Sequence, residues 1–331
     1  MTSHDRTLFA GLDIGGTTTQ VVLCAEDLTV LDRAGTATPA ADGGPAMVGK
    51  ALGALAPLLE RTPGRLVGVG AGAAGVVDSA AGRILVASDS FTGWAGFAVA
   101  DAVEAALGVP AYLDNDVNAF LYGEVYGGAV RGESDVLGIT LGTGVGGALW
   151  MGGALFAGPH GAAGEIGHIP GFGDLPCTCG GRGHLETLAS GRSLCARYAE
   201  RTGRRLTARE IAEAAGHGDG DALAVYRAAA GGIARAIVMT AGVVDVTTVV
   251  VGGGVSGAWP LLEPLVREAL AAEPPVSGHP VRLVRAALGT DAIPVGAAAR
   301  ARRELSTGAL VRAGCATSTS GVEPAGAASR Q

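Results

Sequence analysis

Between Gly164 and Glu186 the chain reads GEIGHIPGFGDLPCTCGGRGHLE, a stretch that holds two of its six His and two of its five Cys. Thiolate and imidazole are the donors of a transition-metal site, and imidazole with carboxylate is equally the equipment of acid–base chemistry. The donors fall at His168, Cys177, Cys179 and His184, with Glu165 and Glu186 near the two ends. A Cys-x-Cys beside His suits metal binding in a reducing compartment better than a disulfide framework. Spacing alone leaves open whether this is a metal site, a catalytic site or both.

A second kind of chemistry is signalled by three glycine turns. LFAGLDIGGTTTQVVLCA (8–25) carries Asp13, Gly15, Gly16, Thr17 and Thr18, and VLGITLGTGVGGALW (136–150) carries Gly142, Thr143 and Gly144. VVVGGGVSG (249–257) carries Gly253 and Gly254. Glycine lets backbone N–H groups approach an anion and point at it, and phosphate is the obvious anion. Any one such turn serves equally well as a tight hairpin, whereas three in order make a phosphate cradle the better reading. Lys50 is the only lysine, so a Walker-type P-loop is excluded. None of the three turns has the context of a dinucleotide fingerprint. Asp13 is placed to hold Mg2+ through water beside a phosphate, or to fix its own turn by an Asx-type bond; the partner loop at 142–147 favours the metal role.

The elements that must position these residues are strands and helices in alternation. The stretches 8–25 and 136–150 each read as strand, glycine turn, strand, which suggests an internal duplication with one hairpin per half. The third turn follows a strand and leads toward PLLEPLVREALAA. Helical periodicity covers 46–60, 97–107, 116–126, 208–215 and 221–243. This alternation predicts an α/β fold. The tail from about Ser306 to Gln331, rich in Ser, Gly, Ala and Thr, is expected to be disordered.

Composition bounds the rest. The chain has 331 residues, 48% hydrophobic and 17% charged, ample for two globular domains. No basic and apolar leader is evident, and no apolar run is expected to reach a membrane span of about 18 residues. A soluble, cytoplasmic protein without membrane partners is the expectation. The formal net charge of −7 argues against a nucleic-acid surface. Cys24 and Cys195 are expected to be buried small hydrophobes, and Cys315 is a further isolated thiol.

Taken in order, DIGGTTT, GAAGVVD, Gly93-Trp94, LDNDVNAF, LGTGVGG, GEIGH and CTCGGRGHLE resemble the ROK family of the actin-like, hexokinase-like ATPase superfamily. The similarity runs from about Leu8 to Arg303. It implies a two-domain α/β fold with an interdomain cleft: a domain over 1–115, joined by a C-terminal helix at 293–305, and a larger domain over 116–292. It also implies ATP and Mg2+ as partners of the glycine loops, and a glucose-like sugar phosphorylated at its 6-hydroxyl. Asp116 of the Asn-Asp motif would be the base, with Asn115 beside it as a sugar ligand; read in isolation, Asp116 is equally an N-cap. Gly72, Glu165, His168 and Glu186 would contact the sugar, and His168, Cys177, Cys179 and His184 would hold a structural Zn2+. A homodimer follows by analogy only.

Two departures bear on function. Thr18 stands where the family often has Lys, which touches a peripheral phosphate contact. The chain reads SDSFTGW before the tryptophan, so Ser90 occupies the place of a sugar-contacting Asn and Asp89 adds a carboxylate. That acid either pairs with the ammonium of an amino-hexose such as kanosamine or glucosamine, or is a solvated loop residue. The rival readings are a sugar-responsive regulator, for which seven residues before Leu8 are too few to form a DNA-binding module, and a catalytically idle sugar-binding protein.

Overall fold

The computed structural model describes residues 6–88 and 90–307; Asp89, Cys315 and the rest of 308–331 lie outside the described residues. The first half runs β1 (Thr7–Ile14), β2 (Thr18–Ala25), β3 (Val30–Ala37), α1 (Gly44–Arg61), β4 (Arg65–Ala73), β5 (Val76–Asp78), β6 (Arg83–Val86), α2 (Val99–Leu107) and β7 (Ala111–Asn115). Then come α3 (Asp116–Tyr126), β8 (Val136–Leu141), β9 (Val145–Met151), β10 (Ala154–Leu155), α4 (Glu186–Ala189), α5 (Gly191–Thr202), α6 (Ala208–Gly216) and α7 (Gly220–Val244). The chain continues through β11 (Thr248–Gly252), α8 (Trp259–Ala272), β12 (Arg282–Arg285) and α9 (Ala292–Ser306).

Two five-stranded sheets share one plan. Their orders are β3-β2-β1-β4-β7 and β10-β9-β8-β11-β12. Each is an antiparallel three-strand meander extended by two parallel strands. This is the duplication that the paired glycine hairpins predict. The inner strands are buried on both faces, as the unbroken apolar runs of β1 and β11 require.

The helices expected from periodicity form within one to two residues of the expected bounds, and α3 spans 116–126 as expected. Two helices escaped the pattern: α4 has only four residues, and α5 buries only Leu194 and Tyr198, too few to mark a stripe. A correction concerns α7, which at 25 residues, with an 18-residue window of mean hydropathy 1.4, is by length and composition long and apolar enough to cross a membrane. The helix is instead packed into the core of the second half through Val225, Tyr226, Ile233 and Ile237. α9 runs through Ser306, where the expected tail starts, and the rest of that stretch from 308 lies outside the described residues. Cys24 is fully buried, as expected, and burial pushes its thiol up to about 12, with Asp291 and Asp27 adding to the rise. Cys195 is only partly buried against the core.

Between the sheets lie α3 and α9. Phe120, Leu121 and Val125 of α3 pack with Trp150 and Val250 of the second sheet, while Val295, Ala298 and Ala299 of α9 pack with Phe9 and Val22 of the first. The approach is so close that glycine is the only residue that fits at the crossings. A Cβ on Gly70 would overlap the backbone of Ala297, one on Gly11 the carbonyl of Pro294, and one on Gly296 the carbonyl of Ala119. Gly70→Val should therefore destabilise the fold by about 3 kcal/mol or more through overpacking. Gly49→Ala, on an exposed helical position of α1 with open space around it, should stabilise by about 0.5–1 kcal/mol. Urea unfolding midpoints at unchanged m-value check both.

Candidate active site

The parallel register β1–β4–β7 aligns the ends of three strands: Asp13 lies beside Gly72, and Gly72 beside Asp114. From this edge the chain turns into the first glycine loop on one side and into α3 on the other. Gly15 donates to Thr18 O (3.2 Å), leaving Gly16, Thr17 and Thr18 exposed at the tip. Phe91 leans against Gly16, where a Cβ would come within 3.0 Å of its ring. The second loop is closed by Gly142 N donating to Gly144 O (2.9 Å), with Thr143 exposed. The third lies next to it because β8 and β11 are paired. Gly253, at φ +84°, packs on Leu141, and both Gly253 and Gly254 are exposed. Beside Gly254 and Val255 a cavity of about 520 Å³ opens toward Ala208, Ala212 and Tyr226.

At the head of α3 the roles of Asn115 and Asp116 separate. The capping side chain is Asn115, which accepts from Val117 N (2.8 Å) and Asn118 N (3.4 Å) and donates to Gly75 O (2.9 Å). The isolated reading of Asp116 as N-cap is therefore corrected: Asp116 is the first helical residue. Burial pushes Asp116 up to about 6; the Val117 amide opposes this and the charge of Glu165 adds to it. Burial likewise pushes Asp13 up to about 7, with Asp116 adding to the rise. Glu165 is raised by desolvation, with His168 opposing and Glu186 adding. Four carboxylates and an imidazole thus form one electrostatic neighbourhood.

The Cys and His residues converge. The ligand atoms of His168, Cys177, Cys179 and His184 all lie within 4.8 Å of one another. Cys177 Sγ is 3.8 Å from His168 Nδ1, and Cys179 Sγ is 3.2 Å from His184 Nδ1. Two thiols and two imidazoles at these separations are a competent tetrahedral Zn2+ donor set. Burial raises the Cys177 thiol.

Three of the predicted sugar-side positions have the following surroundings in the folded chain. Gly72 is buried within β4, its missing side chain directed at Ile293 and Ala119, so packing alone requires a glycine there. The glycine at the strand exit is Gly75, whose carbonyl Asn115 holds. Glu186, 7% exposed, is not a free acceptor: it takes bonds from Val145 N (3.1 Å), Thr178 Oγ1 (2.9 Å) and Arg192 Nη2 (3.0 Å). It ties the second glycine loop to the Cys/His loop. Ser90 is exposed, with its hydroxyl bonded to Ser88 at 2.7 Å, and Asp89 lies outside the described residues. Sequence reasoning missed Arg192, which hid at the start of the unmarked α5, and Thr178, an ordinary residue between two cysteines.

Two duplicated sheets with glycine turns at corresponding strand ends, and acids at the strand edge, define an actin-like, hexokinase-like ATPase fold. The chain belongs to the ROK family, whose model matches residues 9–304. It is 34% identical to a glucokinase of Halalkalibacterium halodurans, across 87% of this chain and 93% of the relative. A ROK family glucokinase from Streptomyces griseus, solved in complex with glucose and AMPPNP, is 32% identical with a TM-score of 0.78, covering 89% of this chain and 99% of that one. A ROK hexokinase from Thermus thermophilus gives 31% and 0.78, covering 91% and 99%.

The raised carboxyls carry a stability consequence whose sign is fixed. Above about pH 4 an unfolded Asp is ionised, while folded Asp13 keeps its proton up to about 7 and Asp116 up to about 6. The folded chain binds more protons across that window, so stability falls as pH rises through it. Asp13→Asn should therefore raise the stability of the ligand-free protein by on the order of 2 kcal/mol at pH 8 and by almost nothing at pH 4. Urea denaturation of both proteins at the two pH values measures the difference.

Proposed function

We propose that this chain is an ATP- and Mg2+-dependent hexose kinase that transfers the γ-phosphoryl group to the 6-hydroxyl of a glucose-like sugar. The observation that carries it is the place of Asp116: at the head of α3, electrostatically coupled to Asp13 beside the first glycine loop and to Glu165 of the Cys/His loop. A carboxyl poised near 6 is a competent acceptor for a hydroxyl proton at neutral pH. The glycine loops at 15–18, 142–144 and 253–254 cradle the phosphates with backbone amides, and the cavity beside Gly254 takes the base. Asp13 would hold Mg2+, which when bound neutralises charge on the phosphates.

On the sugar side, Glu165 accepts from hydroxyls, and His168, with Nδ1 turned to Cys177, offers Nε2. Asn115 contributes its remaining lone pair, and Glu186 acts mainly by fixing the loop. His168, Cys177, Cys179 and His184 hold Zn2+, which when bound rigidifies the segment that presents these groups. Closure of the two halves excludes water, the competing acceptor. Glucose is supported by the names of the relatives. Asp89 extends the reading to an amino-hexose, kanosamine or glucosamine, whose ammonium it would pair.

An ADP-release assay over a sugar panel tests the activity. Turnover with glucose or an amino-hexose is expected, with Asp116→Asn lowering kcat by about 10³-fold and leaving sugar affinity nearly intact. Asp89→Asn should lower kcat/KM for the amines more than for glucose; equal loss on all sugars removes the amine reading, and full turnover by Asp116→Asn removes the base. The metal reading predicts about one zinc per chain in protein purified without chelator, and a lower Tm after its removal. Metal-free protein with an unchanged Tm would count against it.

A further inference from the structure

Two residues before Asp116, the end of β7 carries an acid with no part in the roles above. Asp114 is 2% exposed and bonded on both oxygens. Oδ1 accepts from Asn115 N (2.9 Å), Asn118 Nδ2 (2.8 Å) and Ser79 Oγ (3.2 Å), and Oδ2 accepts from Arg300 Nη1. Arg300 belongs to α9, and its Nη1 also donates to Leu113 O (2.8 Å). Its side chain is 12% exposed against 4% for that of Asp114, and its Nε is buried without a hydrogen-bond partner. Burying two charges costs enough desolvation that such a pair adds little stability over an apolar one. Its value must be sought in geometry.

The geometry points to the Asp114–Arg300 pair as a positioning device that fixes the β7–α3 turn, and the Asp116 carboxylate with it, to α9. Two of the donors on Oδ1, Asn115 N and Asn118 Nδ2, come from the turn and the first helical turn, and the third, Ser79 Oγ, comes from the residue after β5, so the carboxylate sets the direction in which α3 leaves the strand. Arg300 anchors that carboxylate, and the strand carbonyl before it, to the helix that lies across the first sheet. The side chain of Asn115 continues the network by capping α3 and holding Gly75. The charged and titratable groups around the pair are Tyr122 of α3 and Arg303 and Glu304 of α9; those facing Asp116 are Asp13 and Glu165. This inference rests on reading Asp116 as the base, and a displacement of that base by a fraction of an ångström would slow proton transfer without changing either substrate's own contacts.

The test compares Arg300→Met, Arg300→Lys and the double variant Asp114→Asn/Arg300→Met with the parent, reading kcat, both KM values, the acid limb of the kcat–pH profile and the folded fraction. Arg300→Met is expected to lower kcat per folded molecule by about tenfold to a hundredfold, with both KM values within about threefold and the acid limb displaced. Arg300→Lys and the double variant should each recover part of the loss, since neither leaves a buried charge alone. A parental kcat and acid limb, or losses that track the unfolded fraction, would overturn the proposal. Should Arg300→Met not fold, the double variant decides: slower turnover at unchanged KM supports the role and parental turnover overturns it. Asp116→Asn measured alongside separates the two claims, because full turnover there fails the base itself, whereas its loss beside unimpaired pair variants fails only the positioning.

Discussion

The layer formed by α3 and α9 between the two sheets is the constraint on which the rest of the molecule depends. Each helix belongs by packing to a different sheet, and they meet where Gly123 faces Ala292 and Gly296 faces Ala119 with no room for a side chain. Backbone against backbone gives a contact with little freedom to slide, because interiors at this density resist continuous deformation. The first residue of α3 is Asp116, so the position of its buried carboxylate is set by this crossing and not by a mobile loop. A rigid element under a reactive group lets orientation contribute to rate.

The same crowding explains why the acids are costly to assemble. On top of the cost of burial, Asp116 raises the proton affinity of Asp13, Glu165 that of Asp116, and Glu186 that of Glu165. A chain selected for stability alone would disperse them. Perturbed carboxyls gathered at a strand edge beside exposed glycine turns are the signature of a site that expects a compensating cation and a polar ligand. Elsewhere, buried acids are answered in full: Glu124, completely buried, accepts from the amides of Ala129, Ala287 and Leu288. The contrast between the satisfied Glu124 and the stressed Asp13 marks where the molecule is built for function.

Much of this was legible in the sequence. The glycine hairpins at 14–18 and 141–145, set between apolar runs, announced the duplication, and periodicity gave the bounds of α3, although its cap is Asn115 and not Asp116. The Cys/His set was readable because thiols and imidazoles rarely cluster for packing reasons. What escaped did so for physical causes. A short helix with two buried residues leaves no periodicity, which hid α5 and Arg192 with it. Long-range partners such as Arg300 leave no local trace, since 186 positions separate it from Asp114. Glycines are ambiguous between ligand contact and steric need, and at Gly72 the steric need exists whatever else the backbone touches.

Glu186 accepts from the amide that follows Gly144 and from Thr178 inside the Cys/His loop, so one carboxylate is a wall shared by the compartment under the second glycine loop and the compartment under the Cys/His loop. Any ligand that shifts it in one compartment must do work on the other. By reciprocity the coupling runs equally in both directions: whatever factor occupancy of one compartment applies to affinity in its neighbour is returned when the order of filling is reversed.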